Sequence, residues 1–496
     1  MKKIYGFAAL AAAMTLASCS NDNEPQVNTG AYETGYIAIS LDNATRAASN
    51  DATKDGENDV QSIQLVTFSD NNAIEVVDVN NAVWGESDES GVEKETKNVV
   101  KVNVPENFAA STNFEVLTLI NTKLTTADVQ GKSLNDVRKN LITNFGNVAN
   151  GSGNLVMTTA VTSDGTNHTY TTDFTGHVFQ DETTAKDQEV KIYVERMAAR
   201  VDLTADDLAW TTTSNKADGT IAIEIEPIGV ELANLANQSY LIKALDDVTG
   251  AQTNWYVGAN RSHWAYTPWT SANYTTNKNF AGYTSTDGFS HYIHENTGAQ
   301  KTAVVVTAKI KVGGNENETL YRAYVNGAYY TKKGIDNALL SLLQTDGYVK
   351  TDGAGLTADD IEYVAGDEAY DSYLQINVAV KKNGQDLTAT EATDALKAAG
   401  NRYRVMKFTD NVCYYYANID NNGADGVVRN HVYDVTVGEF AGIGIPQYDP
   451  TKPINPEDPD KPDTPDNEDW KLNTTIKILD WTVYTSKPTL GGSDDK

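Results

Sequence analysis

The sequence has little cysteine, little positive charge and few long apolar runs. Cysteine occurs only as Cys19 and Cys413 in 496 residues, so a lipid on the first, expected below, leaves no partner for an intramolecular disulfide, and stability must come from apolar cores. At this length, and with 40% apolar residues, two or three domains can each bury one. Lys and Arg number 39 against 68 Asp and Glu, a net charge of −29. A surface of that sign repels phosphate backbones, and no basic groove interrupts it, which argues against nucleic acid as a partner. The same charge favours solubility outside a cell. No period of about 20 to 50 residues recurs, which argues against a solenoid. Neither a phosphate-binding loop nor a nucleophile elbow is present.

The leading apolar run stands at the start. Lys2 and Lys3 precede Ile4 to Leu16, which is too short to span a bilayer and suits the hydrophobic region of a secretory signal peptide. The run closes on Leu16-Ala17-Ser18-Cys19, which resembles the bacterial lipoprotein box, whose cysteine is lipidated and left as the new N-terminus. The expectation is export with a lipid on Cys19, and the polar Ser20 to Glu24 suits a tether.

The body reads as all-β. Val60 to Phe68, Val99 to Val104, Phe114 to Ile120 and Val190 to Val194 are short apolar or alternating runs between Asn, Asp, Gly and Ser clusters, and they describe a first β-sandwich. Ile221 to Ile228, Thr302 to Val312, Leu320 to Val325, Tyr373 to Val380, Val412 to Ala417 and Val432 to Val437 describe a second. Leu134 to Phe145, Ile335 to Leu343 and Thr390 to Ala399 have helical spacing and read as short insertions, with Thr388 and Glu391 placed for a capping box. Glu195 to Leu203 runs from one sandwich to the next.

Two segments stand apart from this body. Tyr36 to Leu41 alternates, placing Ile37, Ile39 and Leu41 on one strand face that fills a place in the first sandwich. Arg46 follows in the small, polar stretch Asn43 to Asn50, which reads as an exposed loop open to proteolysis. At the other end, Pro450, Pro453, Pro456, Pro459, Pro462 and Pro465 recur every third residue with acids between them. At about 3.1 Å per residue in a polyproline II rod, they reach about 50 Å. Beyond lies Asn473 to Leu490, with Ile476 and Ile478 on one face and Leu479, Trp481 and Val483 on the other, the change of phase at Leu479 suggesting a bulge. A lone strand on a long spacer cannot bury itself and is expected to need a sheet edge elsewhere, another molecule being one place to find it.

Catalytic and metal readings carry less. The histidines are His168, His177, His263, His291, His294 and His431. His291, His294 and Glu295 form the nearest approach to a metal cluster, but without further spaced ligands they read as a solvated loop patch. His431 reads as a structural hydrogen-bonding group. Asp420 to Asp425 departs from the EF-hand pattern and reads as a turn. No catalytic residue, metal or cofactor is expected. The dense aromatics Trp255, Tyr256, Trp264, Tyr266, Trp269, Tyr274 and Tyr283 support the alternative of a surface carbohydrate-binding or tip adhesin protein, although burial is the commoner use of such side chains.

Taken in order, several segments resemble the fimbrillins, the major stalk subunits of type V pili in Bacteroidia. They are Val194-Glu195-Arg196-Met197-Ala198-Ala199-Arg200-Val201-Asp202-Leu203, Gly426-Val427-Val428-Arg429-Asn430-His431-Val432-Tyr433-Asp434-Val435, Tyr414-Tyr415-Tyr416, Gly442-Ile443-Gly444-Ile445-Pro446 and Ile478-Leu479-Asp480-Trp481-Thr482-Val483. The resemblance covers essentially the whole chain. It implies two transthyretin-like β-sandwiches, export as an outer-membrane lipoprotein, and trimming by an arginine-specific protease at Arg46-Ala47. It further implies a homopolymer on the cell surface, with accessory anchor and tip pilins, that supports adhesion to a host receptor or glycan the sequence does not name. On this reading the signal peptide is 1–18, the propeptide with its removable strand 19–46, the sandwiches 47–198 and 199–447, the spacer 448–470 and the donor segment 471–496.

Overall fold

The computed structural model describes residues 32–40, 54, 56–57, 59–79, 98–144, 146, 148–149, 152–163, 168–205, 210–216, 219–243, 274–275, 278–280, 289–296, 301–366, 371–419, 426–440, 442–446 and 472–480. The fold is all-β, with strands gathered into sheets around four larger buried cores.

The first sandwich is built from two facing sheets. In one, β1 (Tyr32–Ser40) lies between Val190–Lys191 and β4 (Asn98–Pro105), with β2 (Ile63–Ser69), β3 (Asn72–Asp78) and β5 (Phe114–Ile120) in the other. The second sheet continues from β5 through Met157–Thr159 to Val194–Arg196. Alternation decides which side chains meet: Ile37, Ile39, Val100, Val102 and Val104 face Ile63, Leu65, Phe114, Val116 and Ile120 across the interior. The intervening residues of β2 and β5 do not face water. Val66, Phe68, Leu117 and Leu119 pack on Val129, Val137, Leu241, Ile242 and Val428, so this sheet is buried on both faces. That is why β2 and β5 read as near-continuous apolar runs.

One stretch serves both sandwiches. Val194–Arg196 closes an edge of the first, Met197 is buried, and Ala198–Ala205, here β6, enters the second between Phe289–His294 and β7 (His431–Phe440). The opposing sheet runs Trp210–Lys216, Gly219–Ala233, Ala303–Val312 and Val412–Asn418, and Val201, Ile223, Val304, Tyr415 and Tyr433 share its core.

The helices are few and short, as expected, and the two longer ones come with strands of their own. Lys332–Thr345 and Ala389–Ala398 pack with a sheet of their own, ordered Tyr329–Tyr330, Tyr321–Ala323, Arg404–Lys407, Asp371–Ile376 and Ile361–Ala365. Ile335, Leu339, Leu343, Leu374, Leu396 and Val405 form its separate core. Of the strands expected at Leu320–Val325 and Tyr373–Val380, the parts Tyr321–Ala323 and Tyr373–Ile376 therefore belong to this sheet and not to the second sandwich, and Val380 pairs in a further sheet with Lys350 and Leu387. Thr388 and Glu391 make the capping box: Thr388 N donates to Glu391 Oε2 at 2.8 Å, and Glu391 N donates to Thr388 Oγ1 at 3.3 Å. The helix expected over Leu134 to Phe145 stops after Arg138, because Leu141–Ile142 is drawn into antiparallel pairing with Ser239–Tyr240. Propensity yields there to a tertiary partner.

Candidate assembly site

β1 is a central strand, not an appendage. Its backbone pairs with β4 from Tyr32 opposite Pro105 to Ile39 opposite Asn98, and on its other side Ile39 and Ser40 pair with Val190 and Lys191. Tyr36 exchanges hydrogen bonds with Phe179 at 2.8 and 2.9 Å. Ile37 and Ile39 are wholly buried. Simple alternation would leave Ala38 and Ser40 in water, yet both are buried as well, with the helix Glu182–Asp187 packed beside the strand. The strand is thus gripped on both faces toward its C-terminal end. At the other end Tyr32, Glu33 and Thr34 are exposed, and Tyr32 borders a cavity of about 230 Å³ with Ile74, Pro105 and Phe108. Gly35 sits between these regimes, where a Cβ would come within 2.7 Å of Val178 Cγ1. The observed strand starts four residues before the expected Tyr36, and Leu41 lies outside the described residues, as do Cys19, Arg46 and Ala47.

Beyond that undescribed stretch the chain is pinned again at Lys54 to Glu57. The Glu57 carboxylate is fully buried, accepts from Tyr292 Oη at 2.7 Å and pairs with Arg200 Nη1. Arg196 Nε donates to the Glu57 carbonyl at 3.1 Å, and Arg200 Nη2 meets Asp202 Oδ2 at 2.9 Å. Burial alone would raise the Asp202 carboxyl, but hydrogen bonds from Ser290 and Arg200 outweigh it and hold the group below its ordinary range. Asn430, at φ 57°, receives Arg196 N at 3.2 Å and donates its own N–H to the Ala198 carbonyl at 2.8 Å. Two of the segments that carried the resemblance, at 194–203 and 426–435, therefore meet at one junction. Nothing in the sequence pattern alone linked Glu57 to it.

The terminal strand has a home edge, contrary to the expectation of a lone strand. Leu472–Asp480, here β8, pairs antiparallel with β7, with Ile476, Ile478 and Leu479 opposite Val435, Tyr433 and Val432. The ladder is continuous through Leu479, and its only register shift falls between Val437 and Phe440, so no bulge marks the change of phase. Trp481, Val483 and the proline rod lie outside the described residues.

The histidines correct a second expectation. His291 and His294 lie on the strand Phe289–His294, and His294 is buried. Its Nδ1 is 2.8 Å from Ser239 Oγ and its Nε2 is 3.2 Å from the Thr143 carbonyl, so Nε2 donates and Nδ1 accepts in the neutral ring. Burial lowers this imidazole to about 4. Glu295 is engaged by Arg429, and no group of three or more metal-ligating side chains occurs among the described residues. His431 Nδ1 lies 2.8 Å from the Arg429 carbonyl. Asp420 to Asp425 and nearly all of the aromatic stretch lie outside the described residues, with only backbone pairing given for Tyr274–Thr275.

Buried strands and an ion-paired junction hold together an all-β protein of several sheets. Residues 406–487 match the family described as major fimbrial subunit protein type IV, Fimbrillin, C-terminal. The match covers the C-terminal part of the chain, and what that part is similar to is a family of major fimbrial subunits. No curated protein matches the chain. Among solved structures it is similar to a candidate cell adhesion protein from Parabacteroides distasonis ATCC 8503, at 12% identity and TM-score 0.38, covering 92% of this chain and 98% of that one. It is also similar to a candidate cell adhesion protein from Bacteroides uniformis ATCC 8492, at 10% identity and TM-score 0.30, covering 90% and 98%. A fimbrial assembly protein from Parabacteroides distasonis ATCC 8503 aligns at 12% identity and TM-score 0.28, covering 72% and 98%.

Proposed function

We propose that this chain is a non-catalytic stalk subunit of a surface fimbria, exported as a lipoprotein on Cys19, cleaved between Arg46 and Ala47, and polymerised by exchange of strands between subunits. The observation that carries the reading is that β1, a strand buried on both faces, lies N-terminal to Arg46. While the chain is whole, β1 is held at the high effective concentration of a covalent link; cleavage makes it a separate peptide and removes that advantage. The chain after the cut stays tied to the junction through Glu57. Ile37 and Ile39 together contribute about 3 to 6 kcal/mol by burial, so their loss opens an apolar slot lined by an unpaired β4 edge. A strand from a neighbouring subunit can fill it, pairing its backbone and lending apolar side chains. Ile476, Ile478, Leu479, Trp481 and Val483 of the terminal segment have that character, and the proline rod supplies the reach. Head-to-tail contacts of this kind do not close on themselves and extend as a fibre.

The slot is filled at the cost of the donor's own β7–β8 ladder, so the home edge keeps the tail occupied until a better site opens. Arg46→Ala is expected to leave exported, unpolymerised precursor, and N-terminal sequencing of sheared fibres should give Ala47; fibres starting at Cys19 would overturn the proposal. Cys19→Ala should take up no labelled fatty acid, and equal labelling of variant and wild type would remove the lipoprotein step.

A further inference from the structure

Beneath the junction lies a second group of charges that the assembly reading does not use. Glu195, Lys243, Glu295 and Arg429 are each at most 1% exposed. Arg429 is clamped: its Nε donates to Glu295 Oε2 at 3.0 Å and its Nη2 to the Tyr240 carbonyl at 2.6 Å. With Nη1 donating to the Leu241 carbonyl at 3.2 Å, this holds Tyr240 and Leu241 beside Glu295. Lys243 Nζ lies 2.6 Å from Glu195 Oε2, while Glu195 Oε1 is buried with no hydrogen-bond partner. An ionised carboxylate left with a bare oxygen in such a place is costly. A carboxyl whose second oxygen is a carbonyl is far less so.

We propose that Lys243 and Glu195 condense into an intramolecular amide, a covalent cross-link between the junction strand and the segment that ends at Lys243. At 2.6 Å from one carboxyl oxygen, Nζ lies no more than about 3.9 Å from the carboxyl carbon, close to the separation of a near-attack arrangement. Burial pushes the Glu195 carboxyl up and the Lys243 amine down, toward the neutral acid and free amine that the reaction needs. The Nζ lone pair attacks Cδ of the protonated carboxyl. The Nζ–Cδ bond forms and the Cδ–Oε2 bond breaks; one Nζ proton and the acid's own proton leave with Oε2 as water, and Oε1 remains as the amide carbonyl. The charge of Arg429 acts on Glu195 and favours the oxyanion that develops on the way. No oxidant or cofactor is consumed. The product closes a loop spanning 48 positions at the stretch that runs from one sandwich into the other.

The test is peptide mapping of the full-length protein purified from cells, denatured and digested with trypsin. The linkage predicts a branched peptide in which residues 192–196 are joined to residues 217–261, uncut after Lys243 and lighter than its two parts by one water. Recovery of linear 192–196 together with cleavage after Lys243 would overturn it and leave the pair a hydrogen bond only. The double variant Lys243→Met with Glu195→Met replaces both partners by apolar groups of similar size, a change buried pairs often tolerate. It should show complete loss of the branched species; a branched species surviving in it would equally refute the assignment.

Discussion

His294 is held neutral because burial outweighs its favourable neighbours, and its imidazole sits at about 4 against an ordinary value of about 6.5. Since the folded value is the lower one, the unfolded chain takes up the proton first as pH falls. The contribution is full above about pH 6.5, is lost between about 6.5 and 4, and is level below. At about 1.4 kcal/mol per unit the loss is at most about 3 kcal/mol. Denaturant titrations at about pH 7 and about pH 4.5 should show wild type losing more stability than His294→Gln by about 2 kcal/mol; equal losses would contradict the neutral assignment. Gly35 offers a second test at this scale. A side chain there meets Val178 and Val104, at 2.7 and 3.2 Å from its Cβ. Gly35→Val should lower the stability of the uncleaved protein by about 1 to 3 kcal/mol through overpacking. An unchanged unfolding midpoint would show that β1 is not held as described. Neither position was legible in the sequence: His294 looked like a loop residue because its partners, Ser239 and Thr143, lie far away along the chain.

At the scale of elements, β1 and β8 are the first and the last strand among the described residues. β1 has both faces and both edges engaged near Ile39, but it is exposed at Tyr32, so a competing strand meets least resistance from that end. β8 is an edge strand with one neighbour in its sheet, and edges are where exchange is cheapest. Truncation after Pro465 removes β8 and leaves the β7 edge open, so the subunit should stay folded with a lowered unfolding midpoint and fail to extend fibres after cleavage. Ile478→Asp with Trp481→Asp should block extension by setting unpaired carboxylates against an apolar slot. Full-length ladders from either variant on denaturant-free gels would return the tail to the role of spacer. The strands themselves were largely legible, because alternation and turn residues specify them locally: Phe114–Ile120 matches its expected bounds, and Ala303–Val312 and Val412–Asn418 fall within a residue or so of theirs. Partnership was not legible. The home edge of β8, the separate sheet around Leu374 and the early end of the helix at Arg138 all depend on residues distant in sequence.

For the whole molecule, the account requires that cleavage and tail act on different subunits. One protein, cleaved after Arg46 and truncated after Pro465, keeps an open slot and has no strand to give. Another, carrying Arg46→Ala with its tail intact, has a strand to give and no open slot. Because the truncated protein also exposes its β7 edge, an uncleaved copy of it serves as the control for pairing at that edge. The decisive measurement is size-exclusion chromatography with light scattering on the two proteins mixed. Strand exchange at the β1 slot predicts a one-to-one heterodimer that grows no further and forms only when the truncated partner has been cleaved. No association, or a heterodimer that forms equally well with the uncleaved control, would contradict it.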